Sequence, residues 1–111
     1  MASASGVTFE LKVNDIAYFQ DAVEYAKMGL VPAGTYKNRG YSIGSVDAQG
    51  IEEFYLDLLY DPQTSGGLLI AAPAADVDEL ARRLHAEGRI AAAVGRVCEP
   101  VPGGPAVRVV R

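Results

Sequence analysis

The sequence has a single cysteine, a single histidine and no tryptophan. With one thiol, Cys98, no intrachain disulfide can form, and the chemistry fits a reducing cytoplasm. The lone histidine, His85, has no cysteine or second histidine at ligand spacing, so no metal site is expected. No apolar run approaches the ~18 residues that a membrane span requires, and no membrane partner is expected. Basic residues are scarce and scattered, ten Lys and Arg against fourteen Asp and Glu, for a net charge of -4. Nucleic-acid binding needs a basic patch to neutralise phosphates, so no nucleic-acid partner is expected either. The opening Met-Ala-Ser-Ala-Ser-Gly lacks a basic stretch followed by an apolar one, which argues against a signal peptide. It reads as a short natural tail or as the edge of an excised domain.

What is present is ordinary globular material. Half of the 111 residues are apolar and 22% are charged, which argues against disorder and suits one domain over residues 1–111. Val7, Phe9, Leu11 and Val13 alternate with polar residues, which predicts a half-buried strand. Ile16, Phe19, Val23, Ala26 and Leu30 recur at helical spacing. They predict a helix from Ile16 to Met28, stopped by Gly29 and Pro32. Residues 31–50, broken by Pro32, Gly34, Asn38, Gly40, Gly44 and Gly50, predict a long loop. Ile51, Phe54, Tyr55, Leu58 and Leu59 predict a second helix ended by Pro62, with Glu52, Glu53 and Asp57 on its solvated outer side. The apolar run from Leu68 to Ala72 predicts a central strand covered on both faces. A third helix is expected from Ala74 to Glu87, with Val77, Leu80, Ala81 and Leu84 inward and Gly88 as its stop. Strands are expected over 91–97 and, at the sheet edge, from Val107 to Val110. The alternation favours an α+β fold, a mixed β-sheet covered by helices.

Two segments carry residues that suit chemistry. Asp61 to Gly67 combines two hydroxyls, an amide and two glycines, and such a turn can aim several donors at an anion. It is not a P-loop, since no lysine follows the glycines and a strand is predicted next. In the plainer reading, Gly66 or Gly67 takes a positive φ or admits a neighbouring backbone. The second segment holds Thr35, Lys37 and Asn38, which suit a phosphate or a partner surface but also suit a turn. Cys98 has no nearby histidine and only Arg96 for a cation, so it is read as a small buried residue rather than a nucleophile. The residues themselves supply no nucleophile, no oriented base and no metal cluster.

Asp61-Pro62-Gln63-Thr64-Ser65-Gly66-Gly67-Leu68-Leu69 resembles the DPQTSGGLL signature of the C-terminal half of selenophosphate synthetases (selenide, water dikinases). Met28 to Asn38, MGLVPAGTYKN, resembles the same family's MGLVPGGTYRN segment, in the same order. Ala93 to Val97 resembles its closing strand. Two departures stand out: Ala33 in place of a glycine, and Arg96 in place of a residue that is often acidic.

The resemblance implies an architecture like the C-terminal domain of aminoimidazole ribonucleotide synthetase-related enzymes, packed on an N-terminal ATP-binding domain that this chain lacks. It also implies a homodimer when intact. The implied reaction takes ATP, selenide and water to selenophosphate, AMP and phosphate, for selenocysteine and selenouridine synthesis. ATP and magnesium serve the intact enzyme, and none is expected here. Catalytic and metal-binding residues are expected outside this chain. Cleft-lining candidates within it are Thr64, Ser65, Gly66, Gly67, Thr35 and Asn38. The alternatives are the equivalent domain of another ATP-dependent enzyme of that superfamily, or a stand-alone binding module.

Overall fold

The computed structural model describes residues 1–111. A short helix α1 (Ala2–Ser5) leads into β1 (Thr8–Lys12) and a 3-10 turn (Val13–Asp15). Then come α2 (Gln20–Lys27), α3 (Ala33–Tyr41), β2 (Val46–Asp47) and α4 (Glu53–Leu59). A second 3-10 turn (Ala74–Asp76) runs into α5 (Val77–Ala86), and β3 (Gly95–Cys98) and β4 (Val107–Val110) close the chain. The fold is α+β, with a mixed four-stranded sheet in the order β2-β4-β1-β3, as the sequence predicts.

β1 pairs in parallel with β4, placing Phe9 opposite Val107 and Leu11 opposite Val109. On its other side it runs antiparallel to β3, with Phe9 opposite Val97 and Leu11 opposite Gly95. Phe9 is buried in β1, Val13 in the turn after it and Val109 in β4. Burial along β1 does not alternate as expected, however: Thr8 is buried as well, and Glu10 and Leu11 are both half-buried. Across the sheet, Glu10 lies between Arg96 at 2.8 Å and Arg108 at 3.3 Å. The basic residue at position 96 therefore has its carboxylate partner on the adjacent strand, and Glu10 holds the Arg96 guanidinium above its usual range.

Two helix stops follow the sequence closely. Gly29 has φ 74 and Gly88 has φ 71, both in the left-handed region that favours glycine. Behind each, paired backbone bonds seal the helix end: Gly29 N–H to Ala26 and Leu30 N–H to Tyr25, then Gly88 N–H to His85 and Arg89 N–H to Leu84.

Other expectations are corrected. α2 starts at Gln20 rather than Ile16, and Phe19, read as one of its apolar positions, precedes it and is exposed. The long loop over 31–50 contains α3, so tertiary contacts override two glycines and an asparagine. The run from Leu68 to Ala72 is not a strand: it makes no ladder, and Leu68, Leu69 and Ile70 are exposed. The strand read over 91–97 is the shorter β3, displaced toward Cys98. Val107 to Val110 is not an edge strand but sits between β2 and β1. Asp57, expected on a solvated face, is buried.

The helices divide unequally. α2 and α3 both pack on α4, and α1 touches β1. α5 stands off from the sheet across a cavity of about 810 Å³ lined by Phe9, Leu11, Leu80, Leu84, Ile70 and Val97. The radius of gyration is 14.7 Å, against the ~13 Å usual for a compact domain of this length. The chain is more open than a self-contained domain of its size.

Candidate functional site

The two segments singled out in the sequence meet in space. Pro32 precedes α3 with φ -61 and ψ 144, extended backbone that admits the chain to a helix at Ala33. Ala33 needs no left-handed conformation, since no residue other than glycine has positive φ. The glycine-to-alanine departure at this position therefore costs the backbone nothing.

α3 is then tied to the end of α4. Gly34 packs on the Pro62 ring so closely that a β-carbon at residue 34 would lie 2.7 Å from Pro62 Cγ. The Asn38 amide donates to the Tyr60 carbonyl at 2.9 Å, and the Ser42 hydroxyl lies 2.8 Å from the Tyr60 hydroxyl. Arg39 reaches Glu53 at 2.9 Å and approaches Asp57 at 3.9 Å. Glu52, beside them, is held below the usual carboxylate range by its own backbone amide and then by Arg111.

The candidates fall into two groups. Thr64, Ser65, Gly66 and Gly67 form an exposed turn just beyond Pro62. No backbone amide from residue 64 to 72 donates to another backbone group, so the turn offers free N–H groups next to two exposed hydroxyls. Asn38 is exposed but its amide is engaged with Tyr60. Thr35 is wholly buried on α3, and its hydroxyl has no partner. With no exposed surface it does not line an open cleft of this chain.

The backbone reading of the two glycines is also corrected. Neither Gly66 nor Gly67 has positive φ. A β-carbon at Gly67 would meet nothing within 4 Å, and one at Gly66 would meet only the flexible Gln63 side chain. Glycines with a steric reason lie elsewhere: Gly34 against Pro62, Gly95, whose β-carbon would strike the Glu10 carbonyl, and Gly104, whose β-carbon would crowd Val101. Sequence reasoning missed Gly34, Arg39, Ser42 and Tyr60 as the residues that join the two segments. Helical spacing of Thr35, Arg39 and Ser42 was the available signal, hidden by Gly34 before them and Gly40 among them.

This chain's donor set does not suit magnesium, which requires a near-octahedral set of oxygens. No three His, Cys, Asp or Glu side chains group together. The turn from Thr64 to Gly67 does suit contact with a phosphate, through hydroxyls and free amides. No helix of the chain is long and apolar enough to cross a membrane.

No protein-family profile matches the chain. It is 46% identical over 98 residues to selenide, water dikinase 2 of Peptoclostridium acidaminophilum, a match that takes in 87% of this chain and 28% of that protein. It is 45% identical over 100 residues to the selenide, water dikinase of Caldanaerobacter subterraneus subsp. tengcongensis, covering 89% of this chain and 29% of that protein. The corresponding enzyme of Clostridioides difficile is 42% identical over 95 residues. The chain thus spans under a third of the length of these relatives while matching them along most of its own.

Proposed function

We propose that this chain, which is related in sequence to the selenide, water dikinases, serves as the C-terminal domain of such an enzyme. The intact protein would convert selenide, ATP and water to selenophosphate, AMP and phosphate, with an N-terminal ATP-binding domain supplying the nucleophile and the magnesium ligands. Cytoplasmic location and a homodimeric intact enzyme belong to the same reading. The observation that carries it is the convergence of the two segments that resemble the family: Gly34 lies on Pro62 and Asn38 on Tyr60.

In this reading α3 and α4 form a rigid bracket behind the turn from Thr64 to Gly67. The bracket fixes where the Thr64 and Ser65 hydroxyls and the free amides point, and these would contact phosphate oxygens of ATP bound by the neighbouring domain. ATP supplies the phosphoryl groups. What this chain adds is neutral hydrogen-bond donors and the exclusion of water from one wall of the cleft. Phosphoryl transfer depends on cations and metal positioning, and this chain alone does not assemble them. The open fold, with Leu68, Leu69 and Ile70 in solvent, supports a domain that is completed by a larger body rather than a stand-alone module.

The test compares the 111-residue chain with the longer protein that carries it, given ATP, magnesium and selenide, with selenophosphate followed by phosphorus NMR. The longer protein is expected to make selenophosphate and AMP, and the chain alone neither. AMP release by the chain alone above a buffer control, or turnover by the longer protein that is indifferent to selenide, would overturn the proposal.

A further inference from the structure

On the side of α4 that faces α2 lies a pocket of about 430 Å³, lined by Ala26, Lys27, Tyr36, Glu53, Phe54 and Asp57. It shares no residue with the turn from Thr64 to Gly67. Its charges do not balance. Lys27 is taken by Glu24 at 2.9 Å, and Arg39 by Glu53 at 2.9 Å. Of the carboxylates Glu24, Glu53 and Asp57 and the cations Lys27 and Arg39, only Asp57 is left without a close partner. Its Oδ1 is enclosed with no hydrogen-bond donor, and Arg39 comes no nearer than 3.9 Å. The side chain is 9% exposed, and Asp57 lines the pocket. A buried carboxylate without a donor is costly unless a cation or a donor meets it.

The walls specify which cation. Tyr36 and Phe54 are aromatic, and the Lys27 ammonium already lies 5.5 Å from the Phe54 ring centre, so that ring accepts positive charge. Aromatic walls make a poor cage for a hard metal ion, which wants several oxygens. A guanidinium suits both features: it is planar, stacks on aromatic rings and offers paired N–H donors to a carboxylate. The geometry points to this pocket as a guanidinium-binding site, with Asp57 as its anionic floor and the exposed Tyr36 ring as its open wall. The Phe54 ring is packed on Tyr55 at 4.3 Å and already faces Lys27. The group can come from a free small molecule or from an arginine side chain of a neighbouring polypeptide, and both present the same chemistry.

The probe is methylguanidinium, titrated into the isotopically labelled chain and followed by amide chemical shifts, with neutral methylurea as the shape control. Saturable shifts are expected at residues 26–29, 36 and 53–57 with methylguanidinium and not with methylurea. Asp57→Asn should weaken binding by about tenfold, as loss of a charge-assisted pair would. Should Asp57→Asn fail to fold, Tyr36→Ala alters an exposed wall and should weaken binding by about threefold. N-acetyl-argininamide binding more tightly than methylguanidinium would assign the group to a polypeptide, and the reverse order to a small molecule. No saturable shift, equal shifts with methylurea, or full binding by a folded Asp57→Asn or Tyr36→Ala chain would overturn the assignment.

Discussion

The α-carbon of Gly34, on the first turn of α3, lies against the Pro62 ring, and a β-carbon there would come within 2.7 Å of Pro62 Cγ. Proline is rigid, so the ring cannot swing aside as a flexible side chain would. Gly40, on the same helix, has nothing within 4 Å of its β-carbon position. The two glycines therefore make a matched pair. Gly40→Ala should stabilise the chain by about 0.5–1 kcal/mol through helix propensity. Gly34→Ala gains the same propensity but meets the ring, and a net loss of about 1 kcal/mol is expected. Denaturant unfolding of both variants checks the pair. Equal stabilisation by both would mean that α3 is not docked on Pro62.

Gly95 makes a second steric prediction, on the sheet. It pairs with Leu11 of β1, and a β-carbon there would strike the Glu10 carbonyl. Gly95→Ala should separate β3 from β1 and cost about 2 kcal/mol or more. Hydrogen exchange at the β1 amides reads the separation directly, and unchanged protection would contradict it.

Tyr18 supplies a pH dependence. Its hydroxyl is enclosed without a hydrogen-bond partner, and burial, with Tyr55 adding to it, pushes its pKa from 10.0 to about 12. Because the folded value is raised, the neutral phenol favours the fold. That contribution is complete below pH 10 and is lost as pH rises toward 12. The melting temperature should fall across this window, and Tyr18→Phe should flatten that part of the profile. At neutral pH the same substitution should cost little, since the hydroxyl it removes forms no bond. A loss above about 1.5 kcal/mol at pH 7 would reveal a partner for that hydroxyl.

Much of the fold was legible because local signals and tertiary packing agree. The alternation through Val7 to Val13 marked β1, and Gly29 and Gly88 marked helix ends that only a left-handed residue closes well. α3 was illegible for the opposite reason. Gly34, Asn38 and Gly40 are poor helix formers, and the helix exists because Gly34 fits Pro62 and Asn38 reaches Tyr60. The exposure of Leu68 to Ile70 was likewise beyond local pattern, since an apolar run reports what is to be covered, not what covers it. Of the candidate site, Thr64 to Gly67 was placed as an exposed turn. The burial of Thr35 depends on helix packing that residue type alone does not encode.

Thr64 is exposed and its side chain makes no hydrogen bond in this chain, so its hydroxyl is free to serve a neighbouring cleft. The most direct test of the central claim is Thr64→Ala combined with Ser65→Ala in the longer protein, measuring selenide-dependent AMP formation beside the melting temperature. The proposal predicts a loss of turnover of ~10-fold or more, the scale of losing donors to a reacting oxyanion, at an unchanged melting temperature. Full turnover, or a fall in melting temperature that accounts for the lost activity, would contradict it.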